Sequence, residues 1–259
     1  MSLDQPLPDV KPLSHSADGF LDGRLTIEQP KKGFRAGLDS VLLGASVMQS
    51  KGRILDLGAG AGVAGLVALA NNPGLEAVFV DNDPALVDLC RRNIERNGFG
   101  GRAVAEFADA AAGKGIEAAV FDVVIANPPF YDPASHTVSP GAPAAHAQKD
   151  TLIGDWVKTA ARALKPGGDA IFVHHAKSLD LVRGALAVHF GKVKVQPLAP
   201  YAGARPIRVL LRGGQGSGEI ILPPVSVHSS RGGPFSPEIE AALRGRTPFH
   251  WNTPQSVPR

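Results

Sequence analysis

The sequence is poor in cysteine. Its 259 residues include a single one, Cys90. One cysteine excludes a disulfide framework within the chain and also a cysteine-rich zinc site. Cys90 lies on the apolar side of a predicted helix, where a small buried hydrophobic residue is a commoner role than a nucleophile. The sequence thus predicts a buried thiol without a chemical role.

Long apolar runs are also missing. The longest, around 41–48, is far short of the roughly 20 residues that a transmembrane helix needs. The first residues, with Asp4, Pro6, Pro8 and Asp9, have neither the basic start nor the apolar segment of a signal peptide. We therefore expect a cytoplasmic protein that does not bind the membrane, with residues 1–23 as a partly disordered N-terminal leader.

Charge is distributed unevenly along the chain. Residues 1–150 contain 13 Lys and Arg against 18 Asp and Glu, whereas residues 151–259 contain 14 against 6. An acidic first part suits a cationic ligand, and a basic second part suits an anionic partner such as RNA.

Predicted strands and helices alternate through the middle of the chain, which indicates parallel βαβ units in an α/β fold. The last two predicted strands have no helix between them, so we expect one antiparallel strand at the edge of a seven-stranded, mostly parallel sheet with helices on both faces. This domain spans residues 24–212, and residues 213–259 form a C-terminal extension packed on its edge. The predicted strands are 53–57, 76–80, 102–107, 119–126, 170–174, 192–198 and 206–212; the predicted helices are 36–45, 63–71, 84–97, 150–164 and 178–190.

A glycine-rich segment, Asp56-Leu57-Gly58-Ala59-Gly60-Ala61-Gly62, follows the first of these strands and opens the next helix. Glycines let the backbone approach a ligand closely, and a helix N-terminus supplies amide groups. Ligands of open α/β sheets bind at the carboxyl ends of the strands. The segment therefore predicts a ligand-binding loop, and since no Gly-Lys-Ser/Thr follows, a P-loop is excluded.

The spacing of Gly60, Gly62 and Gly65 also matches the dinucleotide fingerprint, and Asp81 follows at about the distance expected for a ribose-binding acid. The fingerprint should begin at the first glycine after the strand, Gly58, and its third glycine would then fall on Val63. The position of the first glycine therefore argues against dinucleotide binding, but an NAD-binding oxidoreductase stays open as an alternative.

A second motif, Asn127-Pro128-Pro129-Phe130, follows the apolar strand 121–126. Asn127 can offer a side-chain carbonyl oxygen to an amino group, the Pro128 carbonyl can offer a second acceptor, and Phe130 can cover a flat ring. This combination predicts a binding site for a planar molecule with an exocyclic or amide nitrogen. A rigid strand-to-loop turn is the alternative, because Asn-Pro is a common turn signal.

Asp56 followed by Gly58, Gly60 and Gly62 resembles the loop of Rossmann-like S-adenosylmethionine methyltransferases. The resemblance implies S-adenosyl-L-methionine as the cofactor, with the loop against its methionine part. It also implies that Asp81 binds the ribose hydroxyls and that Asp109 lies near the adenine amino group. The implied cofactor-binding residues are Asp56, Gly58, Gly60, Gly62, Asp81, Asp109 and Asn127.

Within that family, Asn-Pro-Pro-Phe/Tyr at the end of the fourth strand resembles the signature of enzymes that methylate adenine, cytosine, guanine or glutamine-amide nitrogens. The resemblance implies catalytic roles for Asn127, Pro128 and Phe130 and requires no metal. The adjacent His174 and His175 do not suggest a metal site, because neighbouring residues of a strand point to opposite faces.

The flanking segments narrow the resemblance further. The segment 31–45 with Arg35 and Asp39, and the Pro223-Pro224 pair, are similar to the bacterial tRNA(Val) adenine-N6 methyltransferase group. This similarity implies a tRNA substrate, with substrate-binding residues Arg35, Asp39, Phe130 and Tyr131. Methylation of a protein glutamine amide or of a small molecule stays open, as does the choice between a monomer and a homodimer.

Overall fold

The computed structural model of the chain describes residues 13–33, 35–129 and 147–251, apart from the side chains of residues 147–151. Two antiparallel strands, β1 (His15–Phe20) and β2 (Leu25–Pro30), form a hairpin at the start. β1 lies inside the segment expected to be a leader, so the expectation was wrong for residues 13–23. The physical reason is burial: Leu21, Leu25 and Ile27 belong to the main hydrophobic core.

Among the described residues, nine strands form the central sheet. These strands are β3 (Lys51–Leu57), β4 (Gly74–Asp81), β5 (Ala103–Phe107), β6 (Phe121–Ala126), β7 (Leu164–His175), β8 (Lys192–Ala199), β9 (Arg208–Gly214), β10 (Gly218–Ile221) and β11 (Val225–Ser226). Their order across the sheet is β10-β8-β9-β7-β6-β3-β4-β5, and β11 also pairs with β8.

The mostly parallel α/β sheet of the prediction is confirmed, and its seven strands correspond to β3–β9. The position of the antiparallel strand differs from the prediction. β9 runs antiparallel to both β7 and β8 and lies between them, whereas we expected it at the edge. The connection explains this position. β8 lies two places away from β7 in the sheet, and the loop after β8 leads β9 back into the place between them.

Helices cover both faces of the sheet, as predicted. One hydrophobic core joins the hairpin, α1 (Leu38–Ala45), α2 (Val63–Asn71), α3 (Pro84–Arg96) and α6 (Pro237–Leu243) to one face. A second core joins α4 (Ala147–Ala163) and α5 (Leu179–His189) to the opposite face. No helix in the described part of the chain is long and apolar enough to cross a membrane.

Local sequence signals account for the helix ends that border the site. α2 begins directly after Gly62, whose φ of 86° suits glycine. The Asp83 side chain caps α3 by accepting a hydrogen bond from Ala85 N at 2.8 Å, and Pro84 occupies the first turn. The sequence therefore places two helix N-termini at the same edge of the sheet, after β3 and after β4.

The C-terminal extension packs against the body of the protein. β10 and β11 extend the sheet beside β8, parallel to it. Phe249 is fully buried and its N donates to Ala45 O at 2.9 Å, so the extension also covers the end of α1.

Candidate active site

A cavity of about 520 Å³ opens at the carboxyl ends of β3, β4 and β6. Its size lies within the usual range for small-molecule sites, roughly 300–1,000 Å³. The hairpin, α1, the glycine loop and α4 all contribute to its walls, and the side chains that matter most below are Gln29, Ser40, Asp56, Asp81, Asn127 and Trp156.

The glycine loop lies on one side of this cavity in a conformation that favours glycine. Gly58, Gly60 and Gly62 have φ values of 70°, 58° and 86°. A Cβ on Gly58 would lie 2.3 Å from Trp156 Cη2, and one on Gly62 would lie 2.7 Å from Cys90 Sγ. Both glycines are therefore required by packing as well as by backbone conformation.

Asp56 is buried at the base of the cavity, only 2% exposed. Its Oδ2 accepts a hydrogen bond from Gly65 N at 2.8 Å, which ties the end of β3 to the first turn of α2. Burial raises the pKa of the Asp56 carboxyl to about 7, and the nearby Asp81 adds to the rise, whereas the Gly65 amide opposes it.

Asp81 joins the end of β4 to the glycine loop. Its Oδ2 accepts from Gly60 N at 2.8 Å, and its Oδ1 accepts from Asp83 N at 2.9 Å. Burial raises the pKa of this carboxyl above its ordinary value, although the backbone amides oppose the rise. The acid predicted to bind a ribose therefore also fixes the loop beside it.

Asp109 follows β5 on the same side of the cavity. Its Oδ1 accepts hydrogen bonds from Ala111 N at 2.8 Å and Ala112 N at 3.1 Å, so it stabilises the turn after the strand. The structure brings Asp56, Asp81, Asp109 and the glycine loop together at one cavity, and the cofactor-binding roles that the resemblance implies for them stay a prediction.

Asn127 lies at the end of β6 and reaches the same cavity. Its Nδ2 donates a hydrogen bond to Ser40 Oγ at 3.0 Å. Its Oδ1 is buried and has no hydrogen-bond partner among the residues that the structure describes. An unsatisfied buried acceptor costs roughly 1–3 kcal/mol, so this oxygen favours a ligand with an N–H group.

Pro128 is buried next to Asn127, and Pro129 lines the cavity. Phe130 and Tyr131, predicted to contact the substrate, lie outside the described residues, so their placement stays a prediction.

Arg35 and Asp39 do not line the cavity that contains Asn127. Both border a second cavity of about 390 Å³. Arg35 Nη2 donates to Asp18 Oδ2 at 2.5 Å and fastens the hairpin. Asp39 Oδ2 accepts from Arg208 Nε at 2.7 Å and does not cap α1, whose N-cap, Gly37, makes no side-chain cap. A role for these residues at the acceptor nitrogen itself is therefore not supported.

Three residues of the first cavity were not predicted as site residues. Gln29 belongs to β2, and its Oε1 accepts from Ala36 N at 2.8 Å. Trp156 belongs to α4, contacts the glycine loop and lines the cavity. Ser40 stands directly after Asp39 in the segment 31–45, which carries part of the family resemblance, so its position in the sequence could have identified it. The hairpin that carries Gln29 offered only a short alternation of apolar and polar residues.

The residues of the first cavity fit S-adenosylmethionine, the cofactor that the resemblance implies. The cofactor combines cationic groups with ribose hydroxyls, and the cavity offers a buried carboxyl group, Asp56, and a half-buried one, Asp81, beside glycines that allow a close approach. Within the described ranges, no cluster of three or more His, Cys, Asp or Glu is arranged to hold a metal ion.

A family model described as "Methyltransferase small domain" matches residues 38–197. Among solved structures, the chain is similar to a predicted O-methyltransferase from Agrobacterium tumefaciens, with 24% identity and a TM-score of 0.68 over 83% of this chain and 100% of that one.

Two further structures are similar at a TM-score of 0.50. One is a 16S rRNA N2-G1207 methyltransferase from T. thermophilus with AdoMet and guanosine, at 21% identity over 79% of this chain and 46% of that one. The other is precorrin-6y C5,15-methyltransferase from Geobacter metallireducens, at 15% identity over 73% and 94%. At these identities the likeness shows a common fold, and the three names state different acceptors.

Proposed function

This chain belongs to the methyltransferase small domain family, and we propose that it methylates the exocyclic amine of an adenine in tRNA. It is an S-adenosylmethionine-dependent methyltransferase. The observation that carries the proposed acceptor is the buried Asn127 Oδ1, which has no partner among the described residues; Asn127 itself lines the cavity that Asp56, Asp81 and the glycine loop also line.

The proposed chemistry needs alignment more than activation, because S-adenosylmethionine supplies an activated methyl group. An exocyclic amine has its lone pair delocalised into the ring. A hydrogen bond from one amine proton to Asn127 Oδ1, and a second to the Pro128 carbonyl, favours localisation of the lone pair on nitrogen. Holding the nitrogen in this way reduces the entropic cost of bringing the two reactants together. In this proposal Phe130 stacks on the base.

On the cofactor side, we assign binding roles to the glycine loop and to Asp56, Asp81, Asp109 and Asn127. The Gly60–Asp81 hydrogen bond of 2.8 Å supports this assignment, because it presents the loop and the acid as one unit. Asp56 adds a titratable carboxyl at the base, where a cationic ligand favours its ionised form.

Charge favours RNA over a protein amide as the acceptor. Residues 151–259 contain 14 Lys and Arg against 6 Asp and Glu. Among them, Arg205 and Arg231 are exposed in turns at the same edge of the sheet as the first cavity. A glutamine amide presents the same kind of planar N–H₂ group to Asn127 and is the alternative that an experiment must separate.

The proposed function is tested by mass spectrometry of tRNA nucleosides from a strain that lacks this protein. We expect one N6-methylated adenosine to be missing, to return with the wild-type gene, and to stay missing with Asn127→Ala. In the matched assay, purified protein transfers label from S-adenosylmethionine to this tRNA. An unchanged nucleoside profile, together with labelling of a protein fraction that survives ribonuclease, would identify a protein glutamine amide as the methyl acceptor instead.

A further inference from the structure

The second cavity opens at the same edge of the sheet as the first. It lies over the end of β8, between Leu198 and Pro200, and extends to Ile207 on one side and His228 on the other. β9 runs antiparallel, so its first residues lie beside the last residues of β8: Ile207 N donates to Leu198 O at 3.0 Å. On the far side of β8, His228 N donates to Pro200 O at 2.9 Å.

The segment that leads into α1, together with the first turn of this helix, separates the two cavities. Ala36 and Ser40 line the cavity that contains Asn127, whereas Leu38 and Asp39 line the second one. In the sheet, β6 leads to β7, β9 and β8 in that order. With strands about 4.8 Å apart, the second cavity lies roughly 10–15 Å from the end of β6. It is therefore a neighbour of the acceptor position and not a part of it.

The walls of the second cavity suit a flat ring. Leu38, Leu198 and Ile207 are among its apolar residues, and Ile207 is 51% exposed. The His228 imidazole stacks on Phe235 with ring centroids 4.8 Å apart and an interplanar angle of 18°. The His228 Nδ1 donates to Gly233 O at 3.0 Å, which holds the imidazole in this orientation.

Two exposed arginines that are close in the chain to the cavity walls suit a phosphate. Arg205 precedes the lining residue Ile207 by two positions, and Arg231 follows the lining residue His228 by three; neither has an ion pair with any residue in the described ranges. The charges of the cavity itself are balanced, because Arg208 Nε pairs with Asp39 Oδ2 at 2.7 Å and Arg35 pairs with Asp18. Among the described residues close to these walls in the chain, Arg205 and Arg231 are thus the arginines without an ion pair.

We propose that the second cavity is a nucleotide-binding site that holds a nucleotide flanking the acceptor base of the RNA. The base lies against Ile207 and the His228 ring, and the adjacent phosphates meet Arg205 and Arg231. This inference rests on RNA as the acceptor in the proposed function. It also gives a role to Arg35, which precedes α1, and to Asp39 in α1: both line this site and not the cavity of the acceptor nitrogen.

The test measures binding of fluorescein-labelled bulk tRNA, from a strain lacking the protein, by fluorescence anisotropy at fixed ionic strength. Ile207→Asp places a charge where a base would stack, and we expect roughly tenfold weaker binding. Its matched control is Val188→Asp, at a position 77% exposed near the end of α5, on the opposite edge of the sheet. The control should bind tRNA as the wild type does, and both variants should bind S-adenosylmethionine normally.

A double variant, Arg205→Gln with Arg231→Gln, tests the phosphate contacts. Each lost contact to a single strand should make the negative slope of log affinity against log salt shallower by about 0.7. Equal tRNA binding by Ile207→Asp and Val188→Asp, with an unchanged salt slope in the double variant, overturns the site while the wild type still methylates tRNA. If the wild type binds no tRNA at any salt concentration, RNA as acceptor fails as well.

Discussion

Ser40 Oγ accepts a hydrogen bond from Asn127 Nδ2 at 3.0 Å, which joins the first turn of α1 to the end of β6. Ser40 is 4% exposed, and both residues line the same cavity. Because the amide nitrogen is engaged by Ser40, the amide oxygen is the atom of Asn127 that is left to accept from a ligand.

The first prediction concerns Ser40. Ser40→Ala removes the acceptor that orients the Asn127 amide, so we expect kcat to fall roughly tenfold, about the effect of one net hydrogen bond. The affinity for S-adenosylmethionine should change less than twofold. The control is Ser46→Ala at the end of the same helix, where a buried hydroxyl donates to Leu43 O at 2.7 Å and does not contact Asn127. Equal loss of kcat in both variants would reduce Ser40 to a packing role.

The second prediction concerns Asn127. Asn127→Ala removes the acceptor for the amine proton, and loss of one preorganised polar partner typically lowers kcat roughly 100-fold. Cofactor affinity, measured by isothermal titration calorimetry, should stay within a few-fold of the wild type. Near-normal turnover would exclude Asn127 from the mechanism.

The third prediction concerns Asp81. Asp81→Ala removes both the proposed ribose contact and the acceptor for Gly60 N, so the affinity for S-adenosylmethionine should fall at least roughly tenfold. Turnover at saturating cofactor should fall much less. The matched control is Asp88→Ala on α3, whose exposed carboxylate pairs with Arg92 on the same helix. If both variants bind the cofactor equally well, Asp81 has no direct role in binding.

The fourth prediction concerns the pH dependence that Asp56 introduces. Its pKa in the folded protein is about 7, above the ordinary value of 3.8. Its contribution to the free energy of unfolding is therefore fully present below pH 3.8 and is lost as the pH rises through 7. In Asp56→Asn this loss is absent, so the variant should gain stability relative to the wild type as the pH rises from about 4 to 7, by at most about 4 kcal/mol.

Urea unfolding of both proteins without cofactor, at several pH values, checks this prediction. Saturating S-adenosylmethionine, a cation, should reduce the difference because it favours the ionised carboxylate. A stability difference that does not vary with pH would show that burial does not raise the Asp56 pKa.

The fifth prediction compares two glycines of the same loop. Gly58 and Gly60 both have positive φ, 70° and 58°, so alanine at either position incurs the left-handed backbone cost. Only at Gly58 would the new Cβ meet the Trp156 ring, at 2.3 Å; at Gly60 nothing lies within 4 Å. Gly58→Ala should lower the free energy of unfolding by about 1–3 kcal/mol more than Gly60→Ala does. Equal urea midpoints would contradict this packing relation.

The parts of the structure that the sequence predicted well are those governed by neighbours along the chain. The helix predicted at 63–71 matches α2 (Val63–Asn71), and the glycines before it bend the backbone as expected. The motif acids Asp56, Asp81 and Asp109 converge because carboxyl ends of parallel strands share one edge of the sheet. For such residues, strand direction alone decides which side of the molecule they reach.

Contacts between distant segments could not be predicted in this way. The Ser40–Asn127 hydrogen bond joins residues 87 apart in the chain, and the Asp39–Arg208 pair joins residues 169 apart. Asp39 was predicted to bind substrate, whereas in the structure its carboxylate pairs with Arg208 of β9. This pairing depends on where β9 enters the sheet, which no local pattern of the sequence specifies.

The sequence by itself determined the class of fold, the glycine loop and the position of the Asn-Pro-Pro-Phe motif after a buried strand, because periodicity, glycine and proline act on the backbone within a few residues. Only the tertiary structure decided that the hairpin forms a wall of the first cavity, that β9 lies between β7 and β8, and that Ser40 is hydrogen-bonded to Asn127. These outcomes depend on burial of apolar surface and on pairing between segments far apart in the chain, and these energies exist only once the chain has folded.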